Sequence, residues 1–387
     1  MNVHLDRRGF LGTVALLTAS PVLFAQAATE RRFIFIIQRG AADGLDTVVP
    51  YAEPAYANLR GALAVDAAST LKLDGSFALH PSLLKVHELY AARQASFFHA
   101  VASPYRDRSH FDGQNVLETG GLAPYQVKDG WMNRLLAILP RRGKDAIAFS
   151  PAVPLALRGA LEVTTYAPST LPQADDDLMA RVGHLYAKDA QLHALWSSAL
   201  EARAMAAGTG GGDNRRNPAA LGRMAAGFLA RADGPRLAMI ETSGWDTHSG
   251  QSARLASQLK GLDSLIAGLQ EGLGAAWSNT VILVATEFGR TVAANGTNGT
   301  DHGTGAAAML VGGAVQGGRI VTDWPGLGPA NLLEGRDLKP TLGLDTLIAS
   351  ACAETFALEP ERTAQLLFPG STRGRSLPRL LRPNASS

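Results

Sequence analysis

The chain has 387 residues, 46% of them hydrophobic, and a formal charge of +2. That apolar content supports a large buried core and excludes a disordered body, and so small a charge excess gives no footprint for nucleic acid or an anionic membrane surface. The single cysteine, Cys352, excludes an intrachain disulfide and a thiolate-ligated metal cluster, and its apolar neighbours mark it as a buried core thiol.

The amino-terminus reads as an address. Asp6-Arg7-Arg8-Gly9-Phe10-Leu11 leads into an apolar stretch over residues 11–24, and Ala25-Gln26-Ala27 offers small residues where a signal peptidase reads. The stretch is too short to span a bilayer comfortably. The arginine pair followed by Phe-Leu marks a twin-arginine signal, with the twin-arginine export machinery as partner and the periplasm as destination. An ordinary signal peptide with a chance arginine pair is the alternative. Residues 1–27 are set aside as this signal, and residues 28–387 are expected to form a single domain without a membrane span. Twin-arginine export carries folded proteins, so a metal can be loaded before export.

The first mature strand is Arg32-Phe33-Ile34-Phe35-Ile36-Ile37-Gln38, which runs into Gly40-Ala41-Ala42-Asp43-Gly44-Leu45. Small residues there let backbone approach a ligand closely. A helix is expected over residues 80–92 and a strand over 96–101. Ser109-His110-Phe111-Asp112 opens the next helix, through Glu118, with Ser109 as N-cap and Asp112 at the capping-box distance. A hydroxyl at a helix start, flanked by Arg106 and Arg108, also suits an anionic substrate. A helix follows from Trp131 to Leu139, then loops and short strands over 151–172. A helical tract over 178–207, a glycine loop over 208–214 and a helix over 217–232 together form a block that reads as an insertion or cap.

The second half carries the stronger signals. A strand over 236–241 ends in Trp245-Asp246-Thr247-His248, and a helix periodic in Leu and Ile follows. The run Thr280-Val281-Ile282-Leu283-Val284-Ala285 reads as a buried strand and leads straight into Glu287-Phe288-Gly289-Arg290-Thr291. Asp301-His302-Gly303-Thr304-Gly305 precedes another apolar strand, 306–311. Acids and imidazoles at strand ends lie where open α/β sheets place their ligands, and such groups bind a metal or move a proton. A short strand over 319–321, a helix over 342–356 and a loosely held basic tail after Arg373 complete the chain. Strands at Phe33, Phe97, Leu237, Val281 and Met309 are expected to share one mostly parallel sheet.

Together the five motifs resemble the exported bacterial family known as domain of unknown function 1501, over nearly the whole mature chain. That family is grouped with the alkaline phosphatase/sulfatase-like superfamily. The resemblance implies a three-layer α/β/α sandwich with a metal site at the strand ends. It implies Asp43, Asp246, His248, Glu287 and His302 as the metal shell, Asp301 as an acid behind His302, and Ser109 as nucleophile, with Arg108 or Arg290 clamping the oxyanion. Phe288 stands where a histidine ligand is usual, so one ion, or a degenerate site with none, fits better than two. Oxygen and nitrogen donors suit Zn, Mn or Ca without choosing among them. The expected activity is metal-dependent hydrolysis of a small phosphate or sulfate ester. A non-catalytic periplasmic binding or assembly protein that keeps the fold is the alternative.

Overall fold

The computed structural model describes residues 30–143, 145–167, 176–206, 217–371 and 377–383. The signal segment with Arg7 and Arg8 and the glycine loop at 208–214 lie outside the described residues. Among the described residues no helix is long and apolar enough to cross a membrane.

Among the described residues, nine strands form the central sheet. In chain order they are β1 (Arg32–Arg39), β2 (Ala95–Ala102), β3 (Ala146–Phe149), β4 (Thr164–Thr165), β5 (Leu237–Ser243), β6 (Thr280–Ala285), β7 (Ala306–Val311), β8 (Arg319–Val321) and β9 (Leu342–Gly343). Their spatial order is β8-β2-β7-β6-β1-β5-β3-β4, with β9 also paired to β2. The five expected strands share this sheet, and it is mostly parallel. The exception is β7, antiparallel to both β6 and β2.

Alternation along β1 builds two cores. Phe33, Phe35 and Ile37 point to one face, where Trp131, Leu135, Leu347, Ile348 and Cys352 pack from the helices Trp131–Ile138 and Leu344–Phe356. Ile34 and Ile36 point to the other face, against Met224, Phe228, Leu259 and Ile266 from the helices Pro218–Leu229 and Gln251–Leu273. Strands buried on both faces read as continuous apolar runs, which is why periodicity of two is absent from β1 and β6. Helices on both faces make this a three-layer α/β/α sandwich.

Several expectations are corrected. Across 178–232 the described helices are Asp176–Tyr186, Ala190–Ala206 and Pro218–Leu229. The last of these belongs to the core, because its apolar face fits the long helix Gln251–Leu273. The tail is held, not loose, at Leu380 and Leu381, both buried. Their backbone amides donate to the Glu354 carboxylate at 2.9 Å, and Leu381 bridges Val315. Ser109 does occupy the N-cap position of the helix His110–Thr119, but its side chain makes no capping hydrogen bond.

The topology gathers the chemistry at one edge. The carboxyl ends of β1, β5 and β6 are in register there, with Arg39 opposite Ser243 and Ile37 opposite Ala285. Because β7 runs the other way, the loop before it, carrying His302, reaches the same edge.

Candidate metal centre

Four side chains from three segments converge beyond the strand ends. Asp246 and His248 come from the loop after β5, His302 from the loop before β7, and His110 from the first turn of the helix His110–Thr119. Donor atoms of His110, Asp246 and His302 all lie within 4.8 Å of one another. His248 Nε2 is 2.9 Å from His302 Nε2 and 3.0 Å from Asp246 Oδ1. His302 Nε2 is 3.3 Å from the same oxygen, and His110 Nε2 is 3.5 Å from Asp246 Oδ2.

Each imidazole is turned by a partner on its other nitrogen. His110 Nδ1 donates to Glu287 Oε1 at 2.8 Å, His248 Nδ1 to Asp301 Oδ1 at 3.2 Å, and His302 Nδ1 to the carbonyl oxygen of Arg108 at 2.9 Å. Ionised carboxylates and carbonyls only accept, so these bonds place the proton on Nδ1 of each ring. With Nδ1 so engaged, each ring turns its Nε2 toward the others and toward the Asp246 carboxylate. His110 Nε2 is buried and has no hydrogen-bond partner among the described residues. Lone pairs that face each other across 2.9 Å repel unless a cation lies among them, and a metal-bound histidine typically donates its far nitrogen in this way. The donor set fits a bound metal ion.

The electrostatics agree for His302 and for the acids, and run the other way for His110. For His302, burial and then the neighbouring His110 hold the imidazole below its ordinary value, which keeps it neutral and able to ligate. Burial would raise Glu287, but hydrogen bonds from His110, Gln114 and the Gly40 amide overcome it and keep this fully buried carboxyl ionised. Burial likewise opposes ionisation of Asp246, and the bond from Arg290 outweighs it. The Asn295 amide leads in holding Asp301 down, with His248 adding to it. For His110 the hydrogen bond to Glu287 is the largest influence and raises its value.

Not every expected residue reaches the cluster directly. Asp43 lies beneath it, fully buried, and caps the helical turn Gly44–Thr47 by accepting from the Leu45 and Asp46 amides. Arg60 Nη2 donates to Asp43 Oδ1 at 3.0 Å, and Gln251 Nε2 donates to Asp43 Oδ2 at 2.6 Å. Both carboxylate oxygens are thus taken by protein donors. Glu287 stands behind His110 and its carboxylate is occupied by four donors: Gly40 N at 2.9 Å, Gln114 Nε2 at 3.1 Å, His110, and Thr286 Oγ1 at 3.0 Å from Oε2. A Cβ on Gly40 would lie 2.6 Å from the Asp246 amide nitrogen, and its φ is +119°, so only glycine lets these two loops touch.

The two arginines are also committed. Arg290, fully buried, donates from Nε to Thr300 Oγ1 at 3.1 Å, from Nη2 to the Thr300 carbonyl, and from Nη1 to Asp246 Oδ1 at 2.6 Å. Arg108 turns its guanidinium away, to Asp337 at 2.9 Å and Glu334 at 2.6 Å, and gives the site only its carbonyl. Ser109 precedes His110 and remains half-exposed, with its amide donating to the Tyr105 hydroxyl. Phe288 packs its ring against His110 and His302.

His110 is the member of the cluster that sequence reasoning did not single out. It sits inside the Ser109-His110-Phe111-Asp112 motif, and its signal is the polar stripe His110, Gln114, Glu118, spaced by four on a helix that follows a strand.

A family model described as protein of unknown function (DUF1501) matches residues 30–363. No curated protein matches the chain. Similar solved structures include the zinc complex of the carboxyl-terminal periplasmic domain of EptC from Escherichia coli, at 9% identity and TM-score 0.40, covering 93% of this chain and 94% of that one. They also include BT1596, a 2-O GAG sulfatase, at 12% identity and TM-score 0.41, covering 90% and 76%. A phosphonate monoester hydrolase of Agrobacterium radiobacter is similar at 12% identity and TM-score 0.34, covering 89% and 78%.

Proposed function

This chain belongs to the DUF1501 family, and we propose that it is an exported hydrolase of a phosphate or sulfate ester that works with one bound divalent metal. The observation that carries the reading is the convergence of three Nε2 lone pairs on the Asp246 carboxylate, each ring fixed through Nδ1. His110, Asp246, His248 and His302 hold the ion. Glu287, Asp301 and the Arg108 carbonyl orient the three rings. Three imidazoles with one carboxylate suit Zn, or Mn, better than Ca, which prefers oxygen throughout. When bound, the metal supplies a Lewis acid for the ester oxygen and a lowered pKa for a nearby hydroxyl.

The remaining roles belong to the chain. Ser109, next to His110 at the start of a helix, is the nucleophile of this reading. The Asp246 and His248 side chains are 41% and 44% exposed, against 25% for His302, so substrate enters on their side. Arg290 takes a positioning role: its buried, permanent charge sits on Asp246 Oδ1 where a second cation would otherwise bind, which makes the stoichiometry one. Asp43 supports the site from below through Gln251, whose Oε1 accepts from Thr300 Oγ1 at 2.6 Å, beside Arg290.

One observation favours a second reading. Four donor groups fill a tetrahedral shell, the arrangement of structural rather than catalytic zinc. In that case the protein is a metal-bearing binding or assembly module. Metal content by mass spectrometry, with assays on aryl phosphate and aryl sulfate, separates the two. The hydrolase reading expects one metal per chain and turnover, both lost in His302→Ala. Metal without turnover selects the module, and a chain that takes up no zinc or manganese overturns both. The export reading expects Arg7→Lys with Arg8→Lys to abolish periplasmic accumulation; normal export of that variant would assign the general secretory route.

A further inference from the structure

The helix His110–Thr119 presents His110, Gln114 and Glu118 at spacings of four, one above the other on the face that meets the strand ends. Arg39, the last residue of β1, lies across this stripe. Its Nη1 donates to Glu118 Oε1 at 2.8 Å and to Gln114 Oε1 at 2.9 Å, and its Nη2 donates to Glu241 at 2.5 Å. Glu118 is fixed in turn, since its Oε2 accepts from the Ala156 amide at 3.0 Å. A guanidinium only donates, so the Gln114 carbonyl oxygen has to face Arg39 and the Gln114 NH2 has to face Glu287. That NH2 donates to Glu287 Oε1 at 3.1 Å, on the same oxygen that accepts from His110 Nδ1 and from the Gly40 amide. Three donors on one oxygen fix the plane of the carboxylate, and the carboxylate fixes the ring of His110.

We propose that Arg39 and Gln114 are positioning residues for the metal ligand His110, acting through Glu287 to hold its proton on Nδ1 and its Nε2 toward Asp246. The inference rests on the metal reading above, but its first readout does not need the metal. Neither residue touches the proposed ion, and the chain of bonds spans about two helical turns.

The test uses the full chain with Gln114→Ala and with Gln114→Leu, which keeps the side-chain volume. In metal-free protein at alkaline pH, nitrogen NMR of the histidines reports each tautomer. Wild-type His110 is expected as the Nδ1–H form, and both variants as a mixture with Nε2–H. His302, held separately by the Arg108 carbonyl, is expected unchanged and serves as the internal control. Zinc affinity should weaken about tenfold in both variants, the usual cost of losing an outer partner. A His110 tautomer identical in wild type and both variants overturns the proposal. So does a His302 tautomer that shifts along with it, because the effect would then be general loosening. A wild-type protein that binds no zinc sinks the metal reading while the tautomer comparison still decides the role of Gln114.

Discussion

The ring of Phe288 stacks on His110 at a centroid separation of 5.1 Å and an interplanar angle of 24°, and lies 5.3 Å from His302. It is buried, with Ala41, Tyr105 and Val116 around it. A histidine here would add a donor, but Arg290 already places a cation on Asp246. The phenyl ring instead acts as a wall that keeps two imidazoles from rotating out of the cluster. Phe288→Ala should therefore do two things together. Stability should fall on the order of 3 kcal/mol from lost burial and the cavity left behind, read by urea unfolding. Zinc affinity should fall as well, read by competition with a chelator. A variant that loses stability but binds zinc as before would limit Phe288 to packing. At this scale the sequence was partly legible. Asp246, His248 and His302 follow or precede apolar runs, and that placement is visible in the chain. His110 was not, because its neighbours in space are brought by other strands. Asp43 shows the reverse: its strand-end position is plain, yet Arg60 and Gln251, remote in sequence, decide where its carboxylate points.

The loops after β6 and before β7 meet as a small antiparallel ladder. Gly289 N donates to the Thr304 carbonyl at 3.0 Å, Gly303 N donates to the Gly289 carbonyl at 2.8 Å, and Arg290 bridges His302. A Cβ on Gly289 would lie 1.9 Å from the Gly305 carbonyl oxygen, backbone against backbone, with no side chain that can give way. Gly289→Ala should therefore part the two loops, moving Arg290 and His302 off Asp246. It should cost about 1–3 kcal/mol by overpacking and weaken zinc binding, whereas Gly296→Ala, which meets nothing within 4 Å, should leave both unchanged. Equal behaviour of the two variants in thermal melts and zinc titration would remove the argument. Element existence was the most legible level, since each long strand is an apolar run and each core helix carries a 3.6 period. Strand direction was not. A six-residue apolar run such as β7 reads the same in either direction, and its antiparallel placement goes with the connection over residues 286–305, which re-enters the sheet at the edge where β6 leaves it.

Across the whole molecule, a buried polar layer runs beneath the candidate metal site. Arg60 ties Asp43 to Asp46, Gln251 donates to both acids, and Tyr56 donates to Asp46 at 2.8 Å. Next to this layer His99 is fully buried on β2, within an aromatic box of Phe77 and Trp324. Its Nε2 donates to the Val48 carbonyl at 2.9 Å and its Nδ1 accepts from the Ala100 amide at 2.9 Å, so the fold holds one neutral tautomer. Burial pushes this imidazole from 6.5 down to about 4. Below pH 6.5 the unfolded chain takes up a proton that the folded chain refuses, so His99 makes stability fall as pH drops, until the folded value near 4 is reached. The full span is worth roughly 3 kcal/mol. Other buried groups act within this window or at its lower end, and in both directions. Asp46 opposes it, because burial raises its carboxyl and the folded state then gains protons on acidification. Asp43, held below its ordinary value of 3.8 because Arg60 outweighs burial, loses stability only as pH falls to that value and beyond, at and beneath the lower end of the window. The wild-type pH profile alone therefore cannot assign the effect, but the difference between wild type and His99→Gln can, since the remaining groups are common to both. Urea unfolding of the pair should show wild type losing about 3 kcal/mol relative to the variant as pH falls from about 6.5 to about 4. A difference that stays constant across that window would mean that His99 accepts its proton inside the folded protein, and that the box around it opens to water.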